Sequence, residues 1–121
     1  MDEFSDLWID QAHFMDLLIE KRGFPQYPLD MSKKDDQRFI KNILHDLSDE
    51  VCEVRQELTN SKRHRATEIQ GFDRDHYIEE LVDTMKFLLE VLILSGISRD
   101  EFVQAYFKKS EINVDGINKG Y

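Results

Sequence analysis

Two acidic pairs in this chain have the residue types and spacing for metal chemistry. Glu50-Val51-Cys52-Glu53 and Glu80-Leu81-Val82-Asp83 each place two carboxylates three residues apart. On a helix that spacing puts both on one face. Each pair sits in a run rich in apolar residues, where an acid is costly unless something compensates it. Two such pairs on facing helices would bring four carboxylates together. Converging carboxylates repel one another unless cations lie between them, and hard oxygen ligands suit Mg²⁺, with Mn²⁺ as an alternative ion.

The first pair belongs to a longer acidic stripe, Asp46, Glu50, Glu53 and Glu57, at steps of four, three and four. Like charges at those steps weaken an isolated helix by roughly 0.2–0.5 kcal/mol per pair. One such stripe alone fits a solvated face as readily as a site. The second pair is more telling. From Leu81 to Leu94 the sequence is apolar nearly all round, as in a helix at the centre of a bundle. Glu80 and Asp83 are therefore expected to face the interior or a cleft. Their nearest partners there are other acids, and a shared cation resolves the conflict.

Long helices must carry these pairs, and only two prolines and five glycines interrupt the 121 residues. Phe4, Leu7, Trp8, Phe14, Met15, Leu18 and Ile19 fall at helical spacing, which predicts a first helix from about Phe4 to Arg22. Gly23 would cap it and Pro25 stop it. Phe24 to Met31 reads as a loop, because its two prolines disfavour helix at the residues before them. Ser32 with Asp35 reads as a capping box for a second helix, from about Lys33 to Thr59. Its apolar stripe is Phe39, Ile40, Ile43, Leu44, Leu47, Val51, Val54 and Leu58. A loop follows. A third helix is predicted from Asp73 or Asp75 to near Ser95, capped by Gly96. Ser98 with Glu101 makes a capping box for a fourth, Arg99 to Ser110, with Phe102, Val103, Tyr106 and Phe107 facing the core. Glu111 to Tyr121, with two glycines and two asparagines, reads as irregular. No strand pattern or internal repeat is evident, so the expected fold class is all-α in a single domain, 1–121.

Composition narrows the function classes. With 40% apolar and 34% charged residues, a soluble globular domain is expected rather than a disordered chain. The single cysteine, Cys52, rules out an internal disulfide and fits a reducing, cytoplasmic setting. The acidic start, Met1 to Asp6, is no signal peptide. The longest greasy run, Phe87 to Leu94, contains Glu90 and is too short to cross a bilayer. A formal charge of −9 disfavours a nucleic-acid surface. It leaves a nucleotide open as substrate, since acids that hold divalent cations reverse the local field. Solubility alone also accounts for the charge.

Other carboxylate chemistries fit less well. A di-iron bundle needs two Glu-x-x-His motifs, and none of His13, His45, His64 and His76 follows a glutamate by three. Zinc lacks a Cys/His cluster, and no Gly-rich phosphate loop occurs. A short helical chain offers little of the sugar cleft that a glycosidase pair requires. A Mg²⁺ site acting on a phosphate chain is the best chemical fit. Lys62-Arg63-His64-Arg65 reads either as basic residues complementing a helix C-terminus or as a clamp for phosphate oxygens. Gln11, near the middle of the first helix, is not placed by periodicity. A rival from another class is a non-catalytic helical module that uses its acidic face to bind a partner.

In this order, separation and helical setting, Glu50-x-x-Glu53 and Glu80-x-x-Asp83 resemble the Mg²⁺ signature of the all-α NTP pyrophosphatase superfamily, which includes dimeric dUTPases and MazG-type enzymes. Glu50-x-x-Glu53-x-x-x-Glu57, Glu79-Glu80-Leu81-Val82-Asp83 with Phe87, and Lys109, Asn113 and Gly120-Tyr121 look like the dimeric dUTPase branch. Three positions depart from it. Ser61-Lys62-Arg63-His64 stands where Phe-Lys-x-Trp is usual, Gly116 where an arginine is usual, and Lys86 where histidine is common. The length is closer to MazG size.

The resemblance implies a four-to-five-helix bundle that hydrolyses a nucleoside triphosphate to a monophosphate and pyrophosphate. dUTP is the leading substrate, dCTP or a wider set the alternative. It implies Glu50, Glu53, Glu80 and Asp83 as metal ligands, with Glu50 and Glu53 in the catalytic step and Glu50 taking a proton from water. Glu57 would join through water or a further ion. Lys62, Arg65 and Lys109 would meet phosphates, and Gln11, His64 and Asn113 the base or sugar. A homodimer or homotetramer is expected, both from the resemblance and because a four-helix chain of this length has a small core.

Overall fold

The computed structural model of the chain describes residues 2–58, 64, 66–69 and 71–120. Those residues form four helices and no strand: α1 (Glu3–Arg22), α2 (Lys34–Gln56), α3 (Arg74–Leu94) and α4 (Arg99–Asn118). The all-α expectation holds. None of these helices is long and apolar enough to cross a membrane.

The helix ends follow local chemistry. Asp2 accepts the Ser5 backbone N–H at 2.8 Å to open α1, and Gly23 closes it at φ 67°. Asp73 accepts from the His76 N–H at 3.1 Å to open α3. Ser98 Oγ accepts from the Glu101 N–H at 3.1 Å to open α4, as its capping box predicts. Ser32 does not cap α2. Its backbone N–H and hydroxyl both donate to Asp30, at 2.9 and 2.6 Å, and Lys33 takes the N-cap position with no side-chain bond. The neighbouring aspartate outcompetes the helix for that hydroxyl.

α4 runs eight residues beyond the predicted end at Ser110, through a segment read as irregular. No proline follows Pro28, and a lone Gly116 costs only about 1 kcal/mol within a helix. The predicted inward face of α4 is also corrected. Phe102 and Val103 are half-buried, but Tyr106 and Phe107 are 60% and 62% exposed, and α4 has no buried residue. Its first turns are tied to α1: Arg99 pairs with Asp2 at 2.7 Å, and Phe102 stacks on Phe4 at 6.2 Å between ring centroids.

The core lies at one end of the bundle. Met15 of α1, Ile40 and Ile43 of α2, and Ile93 and Leu94 of α3 pack with Leu29 from the 24–33 loop. Leu29 donates its N–H to the Leu94 carbonyl at 2.7 Å. Gly96, at φ 77°, leaves its Cα so close to Pro28 that an added Cβ would lie 3.0 Å from the proline Cβ. α1 and α2 both pack on α3, but the helix is not enclosed all round as its apolar sequence predicts: only its C-terminal end is buried, and Ile78, Leu81, Val82, Met85 and Leu88 are exposed. The acidic halves of α2 and α3 extend away from this core.

Candidate metal centre and the cavity beside it

The facing carboxylates of α2 and α3 fall into register. Glu57 lies opposite His76, Glu53 opposite Glu80 and Glu50 opposite Asp83. The pairings climb one helix as they descend the other, so the helices run antiparallel. One oxygen from each of Glu50, Glu80 and Asp83 lies within 4.8 Å of the others. Glu53 is exposed and stands within hydrogen-bonding reach of both Glu50 and Glu80. The structure thus brings together all four acids that the motifs single out.

Their electrostatics are unfavourable without a counter-charge. Burial, then the Glu53 carboxylate beside it and the charges of Asp83 and Glu80, push the Glu50 carboxyl up to about 7. Burial and Glu53 also raise Glu80, against the opposing pull of His76. Glu50 Oε2 and Glu80 Oε2 are buried with no hydrogen-bond partner. Glu50, Glu80 and Asp83, with Glu53 beside them, are the residues that could hold a hard divalent cation, drawing their oxygens together around it.

A second group shares Glu80. One ligand atom from each of Glu57, His76 and Glu80 lies within 4.8 Å of the others. His76 pairs through Nδ1 with Glu57, and its Nε2 lies 3.3 Å from Glu80. The bond to Glu57 first, then the two carboxylate charges, hold the imidazole pKa above its ordinary value. Glu57 is thus paired with the His76 imidazole in this chain. His76 is a site residue that the sequence does not mark by a Glu-x-x-His step, since no glutamate precedes it by three. Its signal was the four-residue step to Glu80, which shares a helix face.

A cavity of about 460 Å³ opens beside Glu50 and Asp83 and runs between α1, α2 and α3. Phe14, Leu18, Phe24, Ile43 and Phe87 form its apolar walls, and Gln11, Asp46, Lys86 and Glu90 its polar ones. Gln11 is 2% exposed, and its Oε1 has no partner. Its position on α1 turns it into the cavity rather than to solvent. Lys86 lies 3.7 Å from Asp10 and 6.0 Å from the Phe14 ring centroid. Asp46, Lys86 and Glu90 are lining residues the sequence reading did not choose, although all three fall on the helix faces of the metal acids.

The remaining expected contacts are not gathered here. His64, Lys109 and Asn113 are exposed and do not line the cavity. For Lys109 and Asn113 the reason is that only the start of α4 is tied to α1. Lys62 and Arg65 lie outside the described residues. No protein-family model, curated protein or solved structure matches the chain, so the geometry itself carries the reading.

Proposed function

We propose that this chain is a Mg²⁺-dependent nucleoside triphosphate pyrophosphohydrolase of the all-α NTP pyrophosphatase type, with dUTP or dCTP as leading substrate. One observation carries the reading: the carboxylate cluster opens onto a cavity with aromatic walls and an unpartnered, buried Gln11. A triphosphate chain satisfies the charged end, and a nucleobase the aromatic end with its amide.

Glu50, Glu53, Glu80 and Asp83 would hold Mg²⁺ or Mn²⁺, which would neutralise the triphosphate and make a nearby water more acidic. Glu50 would take that water's proton. Water then adds at phosphorus, the α–β phosphoanhydride bond breaks, and pyrophosphate leaves. Lys86 would meet phosphate oxygens at the cavity mouth, and Gln11 would hold the base. His76 keeps Glu57 and Glu80 in place through its two contacts.

The functional unit would be an oligomer, a homodimer or homotetramer. The chain exposes 9563 Å², against roughly 6,800 Å² for a compact monomer of its mass. The excess, roughly 2,700 Å² per chain, is more than the roughly 1,000–2,500 Å² per partner that obligate homodimers bury, so it leaves room for such an interface. On α4, Val103, Phe107, Ser110, Val114 and Ile117 follow at alternating steps of four and three, the seam that packs helix on helix. On α3, Ile78, Leu81, Met85 and Leu88 form a similar exposed row.

Pyrophosphate release from a dNTP panel tests the site as well as the activity. Wild type turns over at least one member with Mg²⁺, and Glu53→Gln and Asp83→Asn lose about 100-fold or more, because even groups one step removed from a metal cost 10–100-fold. Variants as active as wild type would overturn the site assignment. A wild type inert toward the whole panel with Mg²⁺ and Mn²⁺ would leave the non-catalytic binding module standing.

A further inference from the structure

Glu90 is the one acid in the greasy end of α3, and the proposed chemistry leaves it unused. It is 6% exposed. Among the described residues no side chain or backbone group hydrogen-bonds to it, and it lines the cavity. Its carboxyl oxygens are not among the fully enclosed, unpartnered polar atoms and so keep contact with the cavity, yet taking most of an acid side chain out of water still costs free energy.

Its place relative to the metal acids is informative. Seven residues separate Asp83 from Glu90, about two turns and 10 Å along the same face of α3. That is about the reach of a nucleoside monophosphate from phosphorus to the far edge of its base. Gln11 faces the same cavity from α1, nearly fully buried, with its Oε1 unpartnered. Asp46 of α2 lines it as well, close enough to Glu90 for its charge to act there. Away from the metal acids the cavity is lined by the Glu90 carboxyl, with the Gln11 amide and the Asp46 carboxyl on the facing helices. Phe14 and Phe87 offer faces for a flat ring.

We propose that Glu90, with Gln11, makes this cavity selective for a base that carries an exocyclic amine, cytosine over uracil at fixed ring size. An ionised carboxyl only accepts, so it takes the hydrogen of the cytosine amine, whereas the uracil O4 offers only a further acceptor at that place. The inference deepens the nucleotide reading of the cavity and rests on it.

Equilibrium binding of the non-hydrolysable α,β-imido analogues of dCTP and dUTP, with Mg²⁺ present, tests it. Wild type binds the dCTP analogue about tenfold tighter or more, the discrimination that one well-placed pair supplies. Glu90→Gln, which puts an amide donor at the same place, brings the ratio close to one or inverts it. Glu90→Leu also loses the discrimination, while melting of the ligand-free variant at a higher temperature than wild type shows that it folds. Binding of both analogues with no preference, or a dCTP preference that survives Glu90→Gln, overturns the proposal and leaves the nucleotide site intact. Binding of neither analogue to wild type overturns the nucleotide site and this proposal with it.

Discussion

His76 of α3 pairs with Glu57 of α2 across the helix interface, and its second nitrogen lies 3.3 Å from Glu80. One imidazole thus ties the acidic ends of two helices that would otherwise repel. Its pKa is raised in the folded state, so its stabilisation is complete below the unfolded value of about 6.5 and is lost as pH rises through the folded value. His76→Gln is expected to melt below wild type at about pH 6, with the gap closing at about pH 9. Thermal unfolding of both proteins in EDTA measures this. A gap that is constant or widens with pH would contradict the pairing.

The carboxylate cluster has its own pH signature. Glu50 is raised to about 7, from an unfolded value of about 4.3. The metal-free protein therefore loses stability as pH rises through that window, because the folded state must give up a proton that it holds more tightly than the unfolded chain does. Glu80, raised for similar reasons, adds to the loss. Tm in EDTA is expected to fall between about pH 5 and pH 8, and Mg²⁺ to restore it at the alkaline end. Glu50→Gln should flatten the metal-free profile. A metal-free Tm that climbs across that range would count against the cluster.

The acidic pairs were legible in sequence because helical spacing is simple arithmetic, and an apolar helix leaves acids few partners. The positions of α1 and α3 were legible for the same reason, and the Ser98–Glu101 cap because it is a local bond. What was lost depended on competition or tertiary placement. Ser32 reads as a cap until Asp30 is seen holding its hydroxyl. Glu111 to Asn118 reads as irregular because Gly116 and two asparagines suggest a break that no proline enforces. Gln11 has the same spacing whether it faces water or the cavity, and only the packing of α1 on α3 decides.

The exposed row on α4 gives a prediction of assembly. In sedimentation equilibrium the wild type is expected to run as a dimer or larger. Phe107→Glu, which puts a charge into the seam, should shift it toward monomer with some loss of helix, since an isolated helix of this length is marginal in water. A wild type that is monomeric and fully helical at micromolar concentration would refute this.

Gly96 joins the core end of α3 to α4 at a positive φ, with Pro28 against it. Gly96→Ala adds about 1–2 kcal/mol of left-handed backbone cost, plus the clash with Pro28, and should lower Tm by about 4 °C or more. The carboxylates lie on the other half of α3, so turnover per folded molecule should be unchanged at low temperature. A substitution that leaves Tm in place would show that the 24–33 loop yields readily.

The most direct test of the account is the rate of pyrophosphate release from dCTP and dUTP as a function of free Mg²⁺, for wild type and Asp83→Asn. The account predicts no release in EDTA, a saturable rise with Mg²⁺ for wild type, and at least about a 100-fold loss for the variant. Release that persists in EDTA, or a variant with the wild-type Mg²⁺ curve, would contradict a metal centre built on Glu50, Glu53, Glu80 and Asp83.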